Sequence, residues 1–149
     1  MVRTRTVATR ERAAAVIHIY QKTPTSCFAA CIASVIECEF EDVPDYFHAL
    51  AWDHWKQRHW LEKRGYGMAE HKMLPDSMWP PTKGMICILA GKSPRGEWDH
   101  AVVAETDYDT AEPFRIIHDP WRADSYLPNA IEGDVKIVTW IIPLKRAAQ

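Results

Sequence analysis

The order of the apolar patterns along this chain is the feature that most restricts its fold. A run of small and apolar residues without a helix breaker, CFAACIASVIE (27–37), lies in the first half. From Met85 onward the pattern changes to short apolar runs of strand length, separated by turn residues. Helices first and antiparallel strands second is the α+β arrangement. We therefore expect N-terminal helices packed on a C-terminal antiparallel sheet.

The same patterns predict the individual elements. Before residue 85 we expect an extended segment or short strand over 15–20, and then a helix over 27–37 that is capped by Thr25 or Ser26. A short helix over 43–50, capped by Asp42, and a helical segment over 53–63, ended by Gly65 and Gly67, should follow. Residues 65–84 are expected to be irregular, with at most one strand. In the helical segment, Trp52, Trp55, Trp60 and Leu61 are expected mostly on one side. The later strands are predicted over 85–90, 100–106, 114–119 and 135–144.

Size and charge limit the domain organisation and the partners. With 149 residues, of which 47% are hydrophobic, the chain can bury one core, so we expect a single domain over 15–149. The formal net charge of −2 divides into +3 for residues 1–14 and −5 for the remainder. The body therefore has no positive excess for binding nucleic acid. We interpret residues 1–14 as a basic, flexible tail, with contact to phosphate or to an acidic surface as the alternative.

No segment of the sequence resembles a targeting or membrane signal. The arginines of the tail are not followed by the apolar run of a secretory signal, and no stretch of eighteen uncharged apolar residues occurs. We expect a soluble, cytoplasmic monomer that does not contact a membrane.

The four cysteines do not form the spaced pairs of a zinc ribbon, and the lack of a secretory signal argues against a disulfide framework. A metal held by Cys27, Cys31 and two histidines is a weaker alternative, so we expect no metal and no cofactor. Cys27 differs from the others because it falls in the first turn of the predicted helix. Backbone N–H groups and the helix dipole favour a thiolate there, and the thiolate is the nucleophilic form. The remaining three are interpreted as small buried hydrophobes: Cys31, Cys38 and Cys87.

A histidine partner for this thiol follows from the predicted hairpin. If residues 107–112 form the turn, His100 lies opposite Asp119, close enough for the carboxylate to orient the imidazole. We expect Asp119 to accept the Nδ1 proton and to leave Nε2 facing the thiol. His118 is the competing histidine, but its side chain should point to the other face of the strand. Gln21, six residues before Cys27, could donate to an oxyanion together with the Cys27 amide.

Three runs together, QKTPTSCFAAC, WDHAVV and RIIHDPW, resemble the papain-like cysteine peptidases. The likeness spans about residues 17–121 and is closest to the bacterial branch that includes the double-glycine leader peptidases of bacteriocin exporters. In that branch a Gln, a Cys that opens a helix with a second Cys four residues on, a His that begins an apolar strand and an Asp before Pro occur in this order. The resemblance implies a papain-like fold, with Gln21 in the oxyanion hole, Cys27 as nucleophile, His100 as base and Asp119 as third member.

The resemblance has limits and a second, looser component. We expect no exporter membrane domain, no nucleotide-binding domain and no pro-segment, so bacteriocin export is not implied. The stretch GKSPRGEWDHAVV also looks like part of small uncharacterised proteins of phages and bacteria.

The expected activity is cleavage of a peptide or isopeptide bond in a peptide or protein substrate, through a thioester on Cys27. Trp79, Trp98 and Trp121 are candidate wall residues of the substrate groove, with core packing as the alternative for each. Three other functions remain open: a transamidase or deamidase that uses the same residues, a papain-like fold that acts only as a protein-binding inhibitor or adaptor, and nucleic-acid binding through the arginine tail.

Overall fold

Both described helices lie in the first half of the chain, and four of the five described strands lie in the second half, which confirms the α+β class. The computed structural model describes residues 16–44, 55–73, 83–107, 113–125 and 127–144. Within these ranges there are two α-helices, α1 (Cys27–Ile36) and α2 (Trp55–Lys63), two 3-10 turns (Phe40–Asp42 and Leu127–Asn129) and five strands: β1 (Tyr66–Lys72), β2 (Ile86–Lys92), β3 (Asp99–Thr106), β4 (Phe114–His118) and β5 (Glu132–Pro143).

The five strands form one antiparallel sheet in the order β1-β5-β2-β3-β4. The β3–β4 hairpin begins with Thr106 opposite Phe114, and an irregularity between Ala104 and Val103 then shifts the pairing so that Val103 lies opposite His118. The β3–β4 ladder ends at this pair. The prediction that His100 and Asp119 lie directly opposite each other in this ladder is therefore wrong, because Asp119 follows the end of β4.

Helix α1 lies where the sequence predicts it, and its small side chains let it approach the sheet closely. Its residues from Cys27 to Ser34 are all buried, and they share one hydrophobic core with Ala101, Val103 and Ile117 of the sheet. A second apolar cluster, which includes Leu89, Val102, Val138 and Trp140, is built from other residues of the same strands. Alternation along β3 assigns successive residues to the two clusters, as expected for a strand with both faces covered.

The predicted side-chain cap of α1 does not form. Ser26 occupies the cap position, but its Oγ accepts from the Thr23 amide and donates to the Thr23 carbonyl, both over 3.0 Å, instead of capping the helix. Thr25 is exposed and does not take this position either. The Ser26 hydroxyl is thus used to close the turn that leads into Cys27.

The remaining elements agree with the sequence in part. Helix α2 ends at Lys63, and Gly65 follows with φ of 88°, a left-handed conformation that glycine adopts without strain. Gly67, predicted to help end the helix, lies instead in β1, within the segment predicted as irregular. Asp42 belongs to a 3-10 turn. Of the helix predicted over 43–50, Val43 and Pro44 are described and are not helical, and residues 45–50 lie outside the described residues. The tail over 1–14 and the side chains of Trp52 and Trp55 also lie outside them.

Among the residues that the structure describes, no helix is both long and apolar enough to cross a membrane.

The packing of α1 predicts a large free-energy cost for truncating its fully buried isoleucine, Ile32. Ile32 is fully buried, so Ile32→Ala should lower the free energy of unfolding by about 2–5 kcal/mol, measured by urea denaturation. Ile142→Ala is the matched control, because the same truncation at a residue that is 45% exposed should change stability by less than about 0.5 kcal/mol. Equal effects at the two positions would contradict the packing described for α1.

Candidate active site

His100 and Asp119 form a buried, directly hydrogen-bonded pair. The His100 Nε2 atom lies 2.6 Å from Asp119 Oδ1, and both side chains are 1% exposed. The sequence predicted the contact but not the ring nitrogen. Nε2, and not Nδ1, faces the carboxylate, so Nδ1 is the nitrogen left to act on another group.

Asp119 is fixed by more than the histidine. The backbone N–H of Trp121 donates to the same Oδ1 atom over 3.0 Å. Burial disfavours the charged carboxylate, but the hydrogen bonds from His100 and Trp121, with the charges of His100 and Arg95, outweigh it and lower the pKa of Asp119. The group is therefore ionised at neutral pH and keeps Nε2 of His100 protonated.

Cys27 is the first residue of α1 and lies next to the strand that carries His100. The backbone N–H of Ala101, the residue after His100, acts on the Cys27 thiol together with the amides of Phe28 and Cys27 itself. These three amides favour the thiolate. The chain thus brings the start of α1 and the start of β3 together at the sulfur.

The thiol is nevertheless held in its protonated form. Cys27 is 1% exposed, and this burial outweighs the three amides, so the pKa of Cys27 rises to about 11; the negative charge of Asp119 acts in the same direction. The expectation that the helix start alone would favour the thiolate is not met. The position at the helix terminus is as predicted, but desolvation is the larger effect.

The other three cysteines differ from Cys27 in their surroundings. Cys31 and Cys87 are buried, and burial raises the pKa of each, while Cys38 is half-buried with a pKa raised mainly by desolvation. All four cysteines are free thiols. Among these three, none is described with a backbone amide that favours its thiolate.

Gln21 is tied to the loop that carries Asp119. Its backbone N–H donates to the Pro120 carbonyl over 2.8 Å, while its side-chain Nε2 donates to the Thr23 carbonyl over 2.9 Å. The buried Oε1 atom has no hydrogen-bond partner among the described residues. A side-chain amide carries two N–H groups, so one donor of Gln21 remains for another acceptor.

The side chain of His118 is not hydrogen-bonded to Asp119; its ring contacts the segment that precedes α1. Its Nε2–H donates to the Ile19 carbonyl over 2.7 Å, and its ring packs against His18 and Tyr20. The Ile19 amide in turn donates to Ser34 Oγ in α1 over 3.0 Å. His118 therefore holds the extended segment that leads to Gln21 and Cys27, and burial lowers its pKa.

Of the three tryptophans predicted to line the substrate groove, the structure describes Trp98 and Trp121. Trp98 is 43% exposed at the end of the loop before β3, and Trp121 is half-buried beneath the guanidinium of Arg95, whose carbon lies 4.2 Å from the ring centroid. Trp79 lies outside the described residues. The structure thus places two of the three near the ends of the segments that carry His100 and Asp119.

Sequence reasoning missed two contributors to this site. The first is the Ala101 amide, since a backbone group has no residue-type signal. The second is Arg95, whose charge acts on both Asp119 and Cys27. Its only sequence signal is its position in the loop just before His100, where a polar residue is ordinary.

Within the part of the chain that the structure describes, no group of three or more His, Cys, Asp or Glu side chains could hold a metal ion. Of the other histidines, His71 accepts a hydrogen bond from Trp140 Nε1 and His59 lies 4.0 Å from Glu62. His48 and His54 are outside the described residues.

Comparison with protein-family models gives no match, and comparison with curated proteins gives none either.

Because Asp119 is ionised in the folded protein, its replacement should change the free energy of unfolding by an amount that depends on pH. Asp119→Asn keeps the size but removes the charge, so at pH 7 it should lower the free energy of unfolding by about 1–3 kcal/mol. The folded pKa lies below the ordinary value of 3.8, so this contribution is present above about pH 4 and is lost as the pH falls through the folded pKa. Urea denaturation at several pH values between 7 and 3 measures it.

Asp124→Asn is the matched control, because Asp124 forms an exposed ion pair with Arg122 over 3.2 Å and such pairs contribute little. If the difference between wild type and Asp119→Asn were as large at pH 3 as at pH 7, the ionised His100–Asp119 pair would be refuted.

Proposed function

We propose that this protein is a cysteine hydrolase of papain-like architecture that cleaves a peptide or isopeptide bond through Cys27, His100 and Asp119. One observation carries the proposal: His100 and Asp119 form a buried pair, 2.6 Å apart, and the residue directly after His100, Ala101, supplies an amide that acts on Cys27 at a helix start. Such a set, in which an acid orients a base beside a nucleophile, is the arrangement that nucleophilic catalysis needs.

The proposed architecture rests on how the three residues are delivered. A helix that begins with Cys27 packs on an antiparallel sheet, and two neighbouring strands of that sheet carry His100 at the start of one and Asp119 after the end of the other. This is the arrangement implied by the likeness to papain-like peptidases. It supports a papain-like fold within the α+β class.

In the proposed mechanism, Nδ1 of His100 takes the Cys27 proton as the sulfur attacks the carbonyl carbon. The imidazolium then protonates the leaving amine, and a thioester remains on Cys27. Water resolves the thioester with His100 as base. Asp119 accepts from Nε2 throughout and stabilises the imidazolium, while the Cys27 amide and the second N–H of Gln21 Nε2 donate to the oxyanion.

The raised pKa of Cys27 fits this mechanism if the thiol proton passes directly to His100 as the sulfur attacks. Transfer of the proton from Cys27 to His100 places a positive charge beside the new thiolate, which offsets the cost of burying that thiolate. The ionised Asp119 stabilises the imidazolium at the same time. Activation of the sulfur is therefore assigned to His100 and Asp119, and not to the helix start alone.

A second candidate function is a binding module in which the same residues are structural. The 1% exposure of Cys27 and its pKa of about 11 favour this alternative, because a buried protonated thiol is a poor nucleophile. Acyl transfer to an amine, or deamidation, would use the residues of the hydrolase and differs only in the acceptor or the substrate amide.

The partner proposed is a peptide or protein substrate, bound between Trp98 and Trp121, and the protein is proposed to act as a monomer in the cytoplasm. Four free cysteines fit a reducing compartment, where thiols persist. The body of the chain carries an excess of negative charge, which does not favour nucleic acid.

Alkylation separates the two candidate functions. With iodoacetamide at pH 7, Cys27 should be modified first among the four cysteines, and His100→Ala should slow this modification about tenfold or more, because the thiol loses its base. Peptide mass spectrometry of time points gives the rate at each cysteine.

His71→Gln is the control variant, since His71 lies in β1 at the opposite edge of the sheet from β4 and glutamine can still accept from Trp140. It should leave the rate at Cys27 unchanged. Uniform modification of the four cysteines, or a rate at Cys27 that does not depend on His100, would favour the binding module. An acyl adduct on Cys27 after incubation with host extract, found by mass spectrometry, would identify the substrate.

A further inference from the structure

The loop between β2 and β3 presents Arg95 to the candidate active site in a defined conformation. The Ser93 N–H donates to the Trp98 carbonyl over 2.9 Å, and the Arg95 N–H donates to Ser93 Oγ over 3.1 Å. The ring of Trp98 lies so close to Gly96 that a Cβ at this position would be 1.9 Å from the ring. The loop is therefore held by its own contacts, on the strand that begins with Asp99 and His100.

The guanidinium of Arg95 lies over the ring of Trp121, 4.2 Å from its centroid. Trp121 is the residue whose amide donates to Asp119 Oδ1. The positive charge favours the ionised form of Asp119. Burial lowers the pKa of Arg95, and the negative charge of Asp119 acts in the opposite direction. Stacking on Trp121 thus holds a cation beside both the acid and the nucleophile.

Two donor atoms of this cation are unused. Nε and Nη2 of Arg95 are buried, and neither has a hydrogen-bond partner among the residues that the structure describes. Among the described residues the arginine forms no ion pair within 4.0 Å. Asp119 accepts from His100 and Trp121 through Oδ1, and its buried Oδ2 atom likewise has no hydrogen-bond partner among them. Buried donors without an acceptor are costly, and adjacent N–H groups of a guanidinium match the two oxygens of a carboxylate.

We propose, on the premise of the function above, that Arg95 binds a carboxylate of the substrate beside Cys27. The protein is then a hydrolase for acidic peptides, with the bidentate N–H pair of Arg95 as its specificity determinant and Trp121 as the support of that pair. The source of the carboxylate is an acidic side chain next to the scissile bond or a free C-terminus.

The alkylating reagents iodoacetate and iodoacetamide test whether the charge of Arg95 attracts a carboxylate to Cys27, and this test does not require the substrate to be known. Both react with the same sulfur, but only iodoacetate carries a carboxylate, so the ratio of the two rates at Cys27 isolates the effect of a nearby charge. In wild type this ratio should exceed that of glutathione, and Arg95→Gln should lower it about fivefold. Arg95→Lys keeps the charge and should retain most of the ratio.

Arg64→Gln is a matched control, because Arg64 also lies over a tryptophan ring, 4.4 Å from that of Trp60, and the substitution changes the net charge equally. It should leave the ratio unchanged. In wild type, added NaCl should lower the ratio, which keeps the test valid if Arg95→Gln does not fold. A ratio that depends neither on Arg95 nor on salt overturns the inference and leaves Arg95 as a structural partner of Trp121.

The two hypotheses fail in different ways. His100→Ala should slow both reagents and leave their ratio unchanged, so a lack of dependence on His100 refutes the catalytic proposal, whereas an unchanged ratio in Arg95→Gln refutes only the role of Arg95. If Cys27 reacts with neither reagent, both are refuted.

Protection of Cys27 from iodoacetamide by short peptides assigns the source of the carboxylate. One peptide carries a glutamate and an amidated C-terminus, and a second carries glutamine and a free C-terminus. If a peptide protects Cys27 less well in Arg95→Gln than in wild type, the carboxylate of that peptide is the group that Arg95 binds. If neither peptide loses protection in that variant, the assignment of a substrate carboxylate is overturned.

Discussion

The buried hydrogen bond between His100 and Asp119 is the interaction on which the candidate active site depends. Burying an ionised carboxylate is costly unless it is paired and hydrogen-bonded, and here the imidazole, the Trp121 amide and the nearby charge of Arg95 together offset that cost. The same contacts fix the ring of His100 and determine which nitrogen remains for the thiol. In the proposed mechanism Asp119 therefore assists Cys27 through the histidine that it orients, whereas its own negative charge raises the pKa of the thiol.

The scaffold around this pair is assembled from segments that are distant in sequence. Small residues let α1 lie close to β3, so that the amide of Ala101 reaches the sulfur of Cys27. The extended segment before α1 is joined to the same region twice, by His118 to the Ile19 carbonyl and by the Gln21 amide to Pro120. Each of these contacts is a hydrogen bond to the backbone, so the relative position of nucleophile and acid does not rely on long, adaptable side chains.

Much of this could be predicted from local patterns, and the exceptions have physical reasons. The helix at 27–36, the four later strands and the approach of His100 to Asp119 follow from apolar periodicity and the position of one turn. The hairpin register could not be predicted, because the irregularity beside Ala104 leaves no signal in residue type. The burial of Cys27 could not either, since exposure depends on which other elements pack over a position. Ser26 occupies a predicted cap position, but its hydroxyl does not cap the helix because it bonds to Thr23 instead.

The position of β5 has a consequence for how the molecule is completed. β5 follows the other four described strands in sequence and lies between β1 and β2, so among the described strands β1 has no partner until β5 is in place. During synthesis the β2–β3–β4 meander can form early from local contacts, whereas β1 must wait for residues about seventy positions further along the chain. Closure of the described sheet is thus a late, long-range event, and the pairing of β1 depends on the chain having reached β5.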